Sequence, residues 1–536
     1  MVVLAVLAKL ALLGLVVELV NFSTVRPDLG WKLEVLRLVV VGLVNVGLFG
    51  FLAVLGALYL WARTARTLPD LKGWHLEAPA SEFQADQATA DYHLSDYLKQ
   101  EEDVFQELGN LMEKSWVGQE DGVYNRFEPA SPCNPENTGL GLWNRTRVLK
   151  ADQPIGGVLL LHGLGDSPYS LRALGQRLQA EGYTVIWLRL PGHGTNPRAL
   201  AEVTRKDWMA AVRVAMKGLR DLVPEDRPLV MAGYSNGGAL SLHYTLEALA
   251  NPELPPVQAL LLFSPMIGVN PLAKMTRLYH LVGLFSRSEK IKWSRIQAEI
   301  DPFKYGSWPM NAGVQAWGLT QEVERQLEKL ERSGAVDQMP PVFALQSAVD
   351  STVVVSKLIT ALFQRLSSSA SELVLFDVNR RESLSNLVNF SFEGGVLPLL
   401  HHPHDFKLTL VGNSKANPER LALKVFHHGE VSEIPLDQSW PPGMVSLSHI
   451  AVPFPSDDPV YGEPALSGSI ALGSMMIKAE PSALMIPCST FVRSRVNPFY
   501  SWSENRMMGW LRTHTASAGS GLRRREKKPS RGGRER

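Results

Sequence analysis

The chain has 536 residues, 45% of them hydrophobic and 20% charged, with a net charge of +1 at neutral pH. That length leaves room for a large core and more than one module, and the charge balance excludes a basic nucleic-acid groove in the body of the chain. Positive charge gathers instead in 523–536, where eight Lys/Arg stand against two Glu, the composition of a solvated, disordered tail. Cys133 and Cys488 are the only cysteines; they make neither a metal cluster nor a disulfide scaffold and read as two unpaired thiols.

In chain order, 1–20 is apolar but interrupted by Lys9 and Glu18, which point to opposite faces of a helix. Residues 38–61 carry no charge over 24 positions, enough helix (roughly 36 Å) to cross a hydrocarbon core of about 30 Å. Tyr59 and Trp61 lie at one end of it, where amphipathic rings favour a membrane interface. The pattern predicts a transmembrane region over 1–62, a helical hairpin of 1–20 and 38–61. A cleaved signal peptide fits poorly, because no basic region leads and a second apolar stretch follows. Arg26, Lys32 and Arg37 precede the second stretch and Arg63, Arg66 and Lys72 follow it. The positive-inside rule therefore ties, and the basic tail tips the body of the chain toward the cytoplasm.

Residues 63–125 are polar, with Tyr97, Val104, Phe105, Leu108 and Leu111 at helical spacing, and read as a helical connector. From Gly156 onward short apolar runs alternate with helical patterns. Strands are expected at 157–161, 183–190, 227–230, 259–264, 341–346 and 372–378, and helices at 170–181, 205–222 and 241–249. Such alternation predicts an α/β fold with a mostly parallel sheet covered on both faces.

Gly233-Tyr234-Ser235-Asn236-Gly237 is a G-x-S-x-G pattern on a strand-to-helix turn, which pushes a serine hydroxyl clear of the backbone. Upstream, His162-Gly163-Leu164-Gly165 ends a strand, in the right order to aim the Leu164 and Asn236 N–H groups at one oxyanion. Downstream, Asp350 follows the strand at 341–346, where a carboxylate can orient an imidazole. The base of a Ser, Asp, His series must come after it.

With Pro191-Gly192-His193-Gly194 as a fourth motif, 155–265 and 335–350 resemble the alpha/beta-hydrolase fold, in particular its monoacylglycerol-lipase-like and serine-aminopeptidase-like members. The resemblance implies Ser235 as nucleophile, Asp350 as acid, and Leu164 and Asn236 as oxyanion donors. In that group the final strand ends in the histidine. Here the strand at 372–378 runs into Asn379 instead, and some seventy inserted residues follow, holding His401, His402, His404, His427 and His428. His449, within Ser446-Leu-Ser-His-Ile-Ala-Val-Pro, is the favoured base, since this segment resembles that of bacterial membrane-associated members. His427 and His428 are the alternative; His193 reads as shaping its turn and His243 as packed.

The resulting partition is a hydrolase domain at 126–265 and 336–511, an aromatic-rich cap or lid at 266–335 (Met266, Tyr279, Leu284, Phe285, Trp293, Phe303, Tyr305, Trp308, Trp317) and a basic tail at 512–536. The expected function is an integral-membrane serine hydrolase, of a bacterial inner-membrane type, acting on a small ester or lipid-like acyl substrate, without cofactor, metal or nucleic acid. Rivals are a peptidase or amidase, an acyltransferase, and an inactive membrane scaffold.

Overall fold

The computed structural model describes residues 30–116, 124–268, 288–381, 388–400, 405–427, 430–441, 443–462 and 493–516. They fall into two compact units, one of 30–68 with 288–291 and one of the described residues within 69–268 and 292–516. Residues 1–20, Cys488, the tail at 523–536, His401, His402, His404 and His428 lie outside the described residues, as do Tyr279, Leu284 and Phe285.

In the first unit α1 (Gly30–Arg66) is a 37-residue helix. From Leu38 it is long and apolar enough to cross a membrane, by length and composition. Leu43, Val46 and Phe49 are about 70% exposed, at 67%, 71% and 74%, a surface that water would disfavour. Toward its C-terminus Leu58, Ala62 and Ala65 pack with Ile291, and the Lys290 ammonium donates to the Leu68 carbonyl at 2.8 Å. Residues 288–291, expected within the cap, thus group with this helix.

The second unit is built on a sheet of ten described strands: β1 (Arg147–Leu149), β2 (Gly156–Leu161), β3 (Tyr183–Leu188), β4 (Leu229–Tyr234), β5 (Ala259–Phe263), β6 (Val342–Ser347), β7 (Glu372–Phe376), β8 (Lys407–Asn413), β9 (Leu421–His427) and β10 (Glu430–Leu436). Their order is β1-β3-β2-β4-β5-β6-β7-β8-β9-β10. From β3 to β8 every pairing is parallel, and each of β2 to β7 is buried along its whole length. Strands covered on both faces need unbroken apolar runs, which is why these were readable. The helices α2 (Leu94–Leu111), α3 (Arg172–Ala180), α4 (Arg205–Asp221), α5 (Asn236–Ala250), α6 (Met310–Arg332) and α7 (Tyr500–Ala516) cover the faces.

Three features differ from the expected organisation. Residues from Pro69 onward belong to the body rather than to a connector. Their polar residues are not solvent-facing: Glu82 grips the Arg189 guanidinium with two bonds at 2.9 Å and Glu101 takes its Nε at 2.8 Å, while the Tyr97 hydroxyl donates to the Arg189 carbonyl. The cap is also largely structural in its described part, since Ala312, Ala316, Leu319, Val323 and Leu327 of α6 join the main core and Trp293, Phe303 and Tyr305 are buried.

The third feature is the insertion after β7, which extends the sheet. β8 pairs in parallel with β7, and β9 and β10 follow as an antiparallel meander. The chain then returns to its point of departure, where Val378 bridges Ser446, the Asn379 N–H donates to the Val445 carbonyl at 2.7 Å and the Asn379 amide to the Met444 carbonyl at 2.9 Å. His449 thus follows by three residues a position, Ser446, that is bridged to Val378 just past the end of β7.

Candidate active site

Ser235 joins β4 to α5 with φ 52° and ψ −112°, a conformation that costs a non-glycine residue of order 1–3 kcal/mol. Glycines make the turn possible. A Cβ on Gly237 would stand 2.0 Å from the Leu161 carbonyl oxygen, and one on Gly233 would stand 2.3 Å from that of Gly237. The Ser235 N–H donates to the Phe263 carbonyl at 2.9 Å, and its carbonyl accepts from Met266 at 3.0 Å. The turn is thereby clamped between the ends of β2 and β5.

The His162–Gly165 loop runs beside this turn, where a Cβ on Gly163 would come within 3.5 Å of the Ser235 Cβ. Asn236 is the first residue of α5, so its N–H has no intrahelical acceptor and carries the positive end of the helix dipole. Among the described residues neither its N–H nor that of Leu164 is taken up by a backbone acceptor. His162 is not a free base. Its Nε2 accepts from the Leu190 N–H at 3.0 Å, which leaves Nδ1 as the donor to the Gly163 carbonyl at 2.8 Å, and burial holds it well below the ordinary histidine range. It ties the His162–Gly165 loop to Pro191–Gly194, with the His193 ring 5.0 Å from its own. His193 is likewise held down by burial, at about 4, which agrees with a turn-shaping role. His243 is buried, as expected.

At the next strands, Asp350 Oδ2 lies 2.7 Å from His449 Nδ1, with the aspartate side chain fully buried and that of the histidine 3% exposed. Burial works to raise the Asp350 carboxyl. The adjoining His449 and the N–H groups of Val353 and Thr352 outweigh it and hold the group below the usual carboxylate range. The Gln346 amide adds a donor at 2.6 Å to Oδ2, and Oδ1 accepts from Thr352 and Val353 at 2.7 and 3.1 Å. His449 opens a short 3-10 turn, His449–Ala451, with its ring 5.4 Å from that of Tyr234, the residue before Ser235. His427 closes β9, two strands beyond β7.

Several supports were not singled out from the sequence. Tyr305 donates its N–H to the Gly165 carbonyl at 2.8 Å and its hydroxyl to the Gly192 carbonyl at 3.1 Å, strapping both glycine loops together. Asp166, one residue past the oxyanion loop, is buried and raised to about 6 by desolvation, with Lys304 at 3.6 Å opposing the rise. Asp458 receives the Tyr169 hydroxyl at 2.9 Å and the N–H groups of Val460 and Tyr461, which fixes the loop after His449. In the sequence Tyr305 stood only among the aromatic residues of the cap, Asp166 adjoins the His162–Gly165 motif, and Asp458 follows the His449 segment.

Among the described residues no group of three or more His, Cys, Asp or Glu side chains is placed to hold a metal ion. Residues 152–380 match the family model described as serine aminopeptidase, S33. A thermostable monoacylglycerol lipase of a Bacillus species is 38% identical over 87 residues, 16% of this chain and 34% of the relative. This part of the chain, 152–380, has the alpha/beta-hydrolase fold. Phospholipase YtpA of Bacillus subtilis is 26% identical over 121 residues, 22% of this chain and 44% of the relative. The chain thus spans between a third and a half of the length of these curated relatives. A solved structure of metagenome-derived lipolytic enzymes, LipS and LipT, shares 22% identity, with 48% of this chain and 98% of that one covered and a TM-score of 0.35.

Proposed function

We propose that this protein is a membrane-anchored serine hydrolase that cleaves a carboxylic ester of a lipid-like acyl substrate. The observation that carries the reading is the 2.7 Å contact between His449 and Asp350, beside a serine in a strained strand-to-helix turn. In this reading His449 takes the proton of the Ser235 hydroxyl as its oxygen attacks the acyl carbon, and Asp350 orients the ring and stabilises its cation. The Leu164 and Asn236 N–H groups receive the oxyanion, a contribution of about 3 kcal/mol per donor in such sites. The alcohol leaves with the proton returned by His449, and water activated by the same ring releases the acid from the acyl-enzyme.

Anchoring rests on α1, whose exposed apolar side chains suit lipid. A substrate drawn from the bilayer follows from that anchor, and the lipase names of the relatives support it. The basic tail at 523–536 favours a cytoplasmic side for the hydrolase body, the flanks of the span being balanced. Treating the full-length protein in membranes with a fluorophosphonate probe tests the nucleophile: Ser235→Ala abolishes labelling, and persistent labelling at another residue overturns the assignment. A panel of esters of increasing acyl length then reads the substrate, with long chains preferred.

A further inference from the structure

A cavity of about 360 Å³ lies in the hydrolase body, between α2 and the loop at 126–136, within the size range of small-molecule sites. Its apolar walls are Phe105, Leu108, Met112, Phe127 and Leu142. Two guanidinium groups line it as well. Arg126 is 2% exposed, and its guanidinium carbon lies 5.6 Å from the centre of the Phe127 ring and 5.5 Å from that of Tyr305. Its donors reach only backbone carbonyls, of Asp301, Lys304 and Gly194, at 3.3 to 3.5 Å.

The carboxylates of its neighbours are committed elsewhere. Glu299 accepts from the Gly306 and Ser307 N–H groups, and Asp301 pairs with Arg495. Arg145 is half-buried, 4.2 Å from the centre of the Phe105 ring, and burial pulls it below the ordinary arginine range. Among the described residues neither guanidinium makes a close ion pair: Glu299 acts on Arg126, and Glu101, Glu136 and Glu102 on Arg145, only at longer range. A cation in a largely apolar wall without a close counter-charge is costly, and two beside one cavity suit an anion with a hydrocarbon body. On the same wall Asn144 Oδ1 is buried without a hydrogen-bond partner, an acceptor that a monoprotonated phosphate head can satisfy and an ionised carboxylate cannot. Glu113 and Glu136 also border the cavity but are exposed, where water weakens their effect.

We propose that this cavity binds an amphiphile, a single carboxylate or phosphate head on a medium-length acyl chain, with the head between Arg126 and Arg145 and the chain along Phe105, Leu108 and Met112. The site is separate from Ser235 and does not depend on the reaction assigned to it. Full-length protein in neutral nanodiscs is first capped with a fluorophosphonate, or carries Ser235→Ala, and is then photolabelled with a diazirine-bearing dodecanoate. Adducts mapped by mass spectrometry are expected on peptides containing Phe105–Met112 or Leu142, competed by dodecanoate and by dodecyl phosphate but not by dodecan-1-ol. The stronger competitor of the two identifies the head group.

Arg145→Gln, at a half-exposed site that tolerates the change, is expected to lower this labelling about tenfold, the size of one lost charge-assisted contact. Leu108→Trp, which fills the cavity, removes it. Labelling of these peptides that survives both variants, equal competition by the neutral alcohol, or adducts confined to other peptides overturns the proposal.

Discussion

The serine turn and the Asp350–His449 pair solve their geometry by different means. Around Ser235 everything needed lies within a few residues: a strand, two glycines that admit no Cβ, and the first N–H of α5. The pair joins residues 99 apart in sequence, across a three-strand extension of the sheet. Its geometry depends on the return of the chain to β7, where Asn379 holds Val445 and Met444. A site can therefore be local in one half and topological in the other. The local half is sensitive to single atoms and the topological half to the register of the returning chain.

The largest effect expected is on turnover. His449→Ala lowers kcat/KM by about 10⁴ or more, as loss of a triad member does, with the folded state retained; His427→Ala leaves it within a few-fold. Full activity of the His449 variant on a soluble ester would remove the pair from the reaction. Gly237→Ala attacks the other half. The added Cβ meets the Leu161 carbonyl oxygen at 2.0 Å, and the expected loss is at least ~3 kcal/mol of stability together with fluorophosphonate labelling. Unchanged unfolding and labelling would show that the turn has slack.

Asn379→Leu tests the return of the chain without touching a reacting group. It removes the donor to Met444 and the acceptor for the Asn413 amide at 3.2 Å. The expected cost is about 1–3 kcal/mol of stability, with kcat reduced by up to about 100-fold through displacement of His449. A loss of stability with kcat intact would mean that the bridge of Val378 to Ser446 holds the histidine alone.

The same contrast explains what could be read from the residues. The parallel strands and the serine turn were legible because burial on both faces demands unbroken apolar runs and a tight turn demands glycine. The histidine was ambiguous among six candidates because no local pattern records that 379 and 445 are neighbours. The place of residues 69–111 was hidden for a related reason: nothing near Glu82, Tyr97 or Glu101 in sequence shows that they gather around Arg189, about 90 residues or more away. Long-range polar pairing leaves no periodic trace, whereas apolar burial does.

The two halves are also expected to titrate in opposite senses. Asp166, at the oxyanion loop, is raised to about 6 by burial, so between roughly pH 4 and 6 the folded state holds a proton that the unfolded chain has lost. Its contribution to stability falls as pH rises through that window, by about 2 kcal/mol. Asp350 is held below its ordinary range, so its contribution is present above about pH 4 and is lost as pH falls further. Denaturation midpoints of the full chain in neutral detergent, taken from pH 3 to 8, separate the two. The native protein gains stability on going from pH 7 to 5, a gain absent in Asp166→Asn, while Asp350→Asn keeps that gain and shows a shallower loss below pH 4. An unchanged slope between pH 4 and 6 in Asp166→Asn would assign the gain to another group and leave Lys304 as sufficient partner for an ionised Asp166.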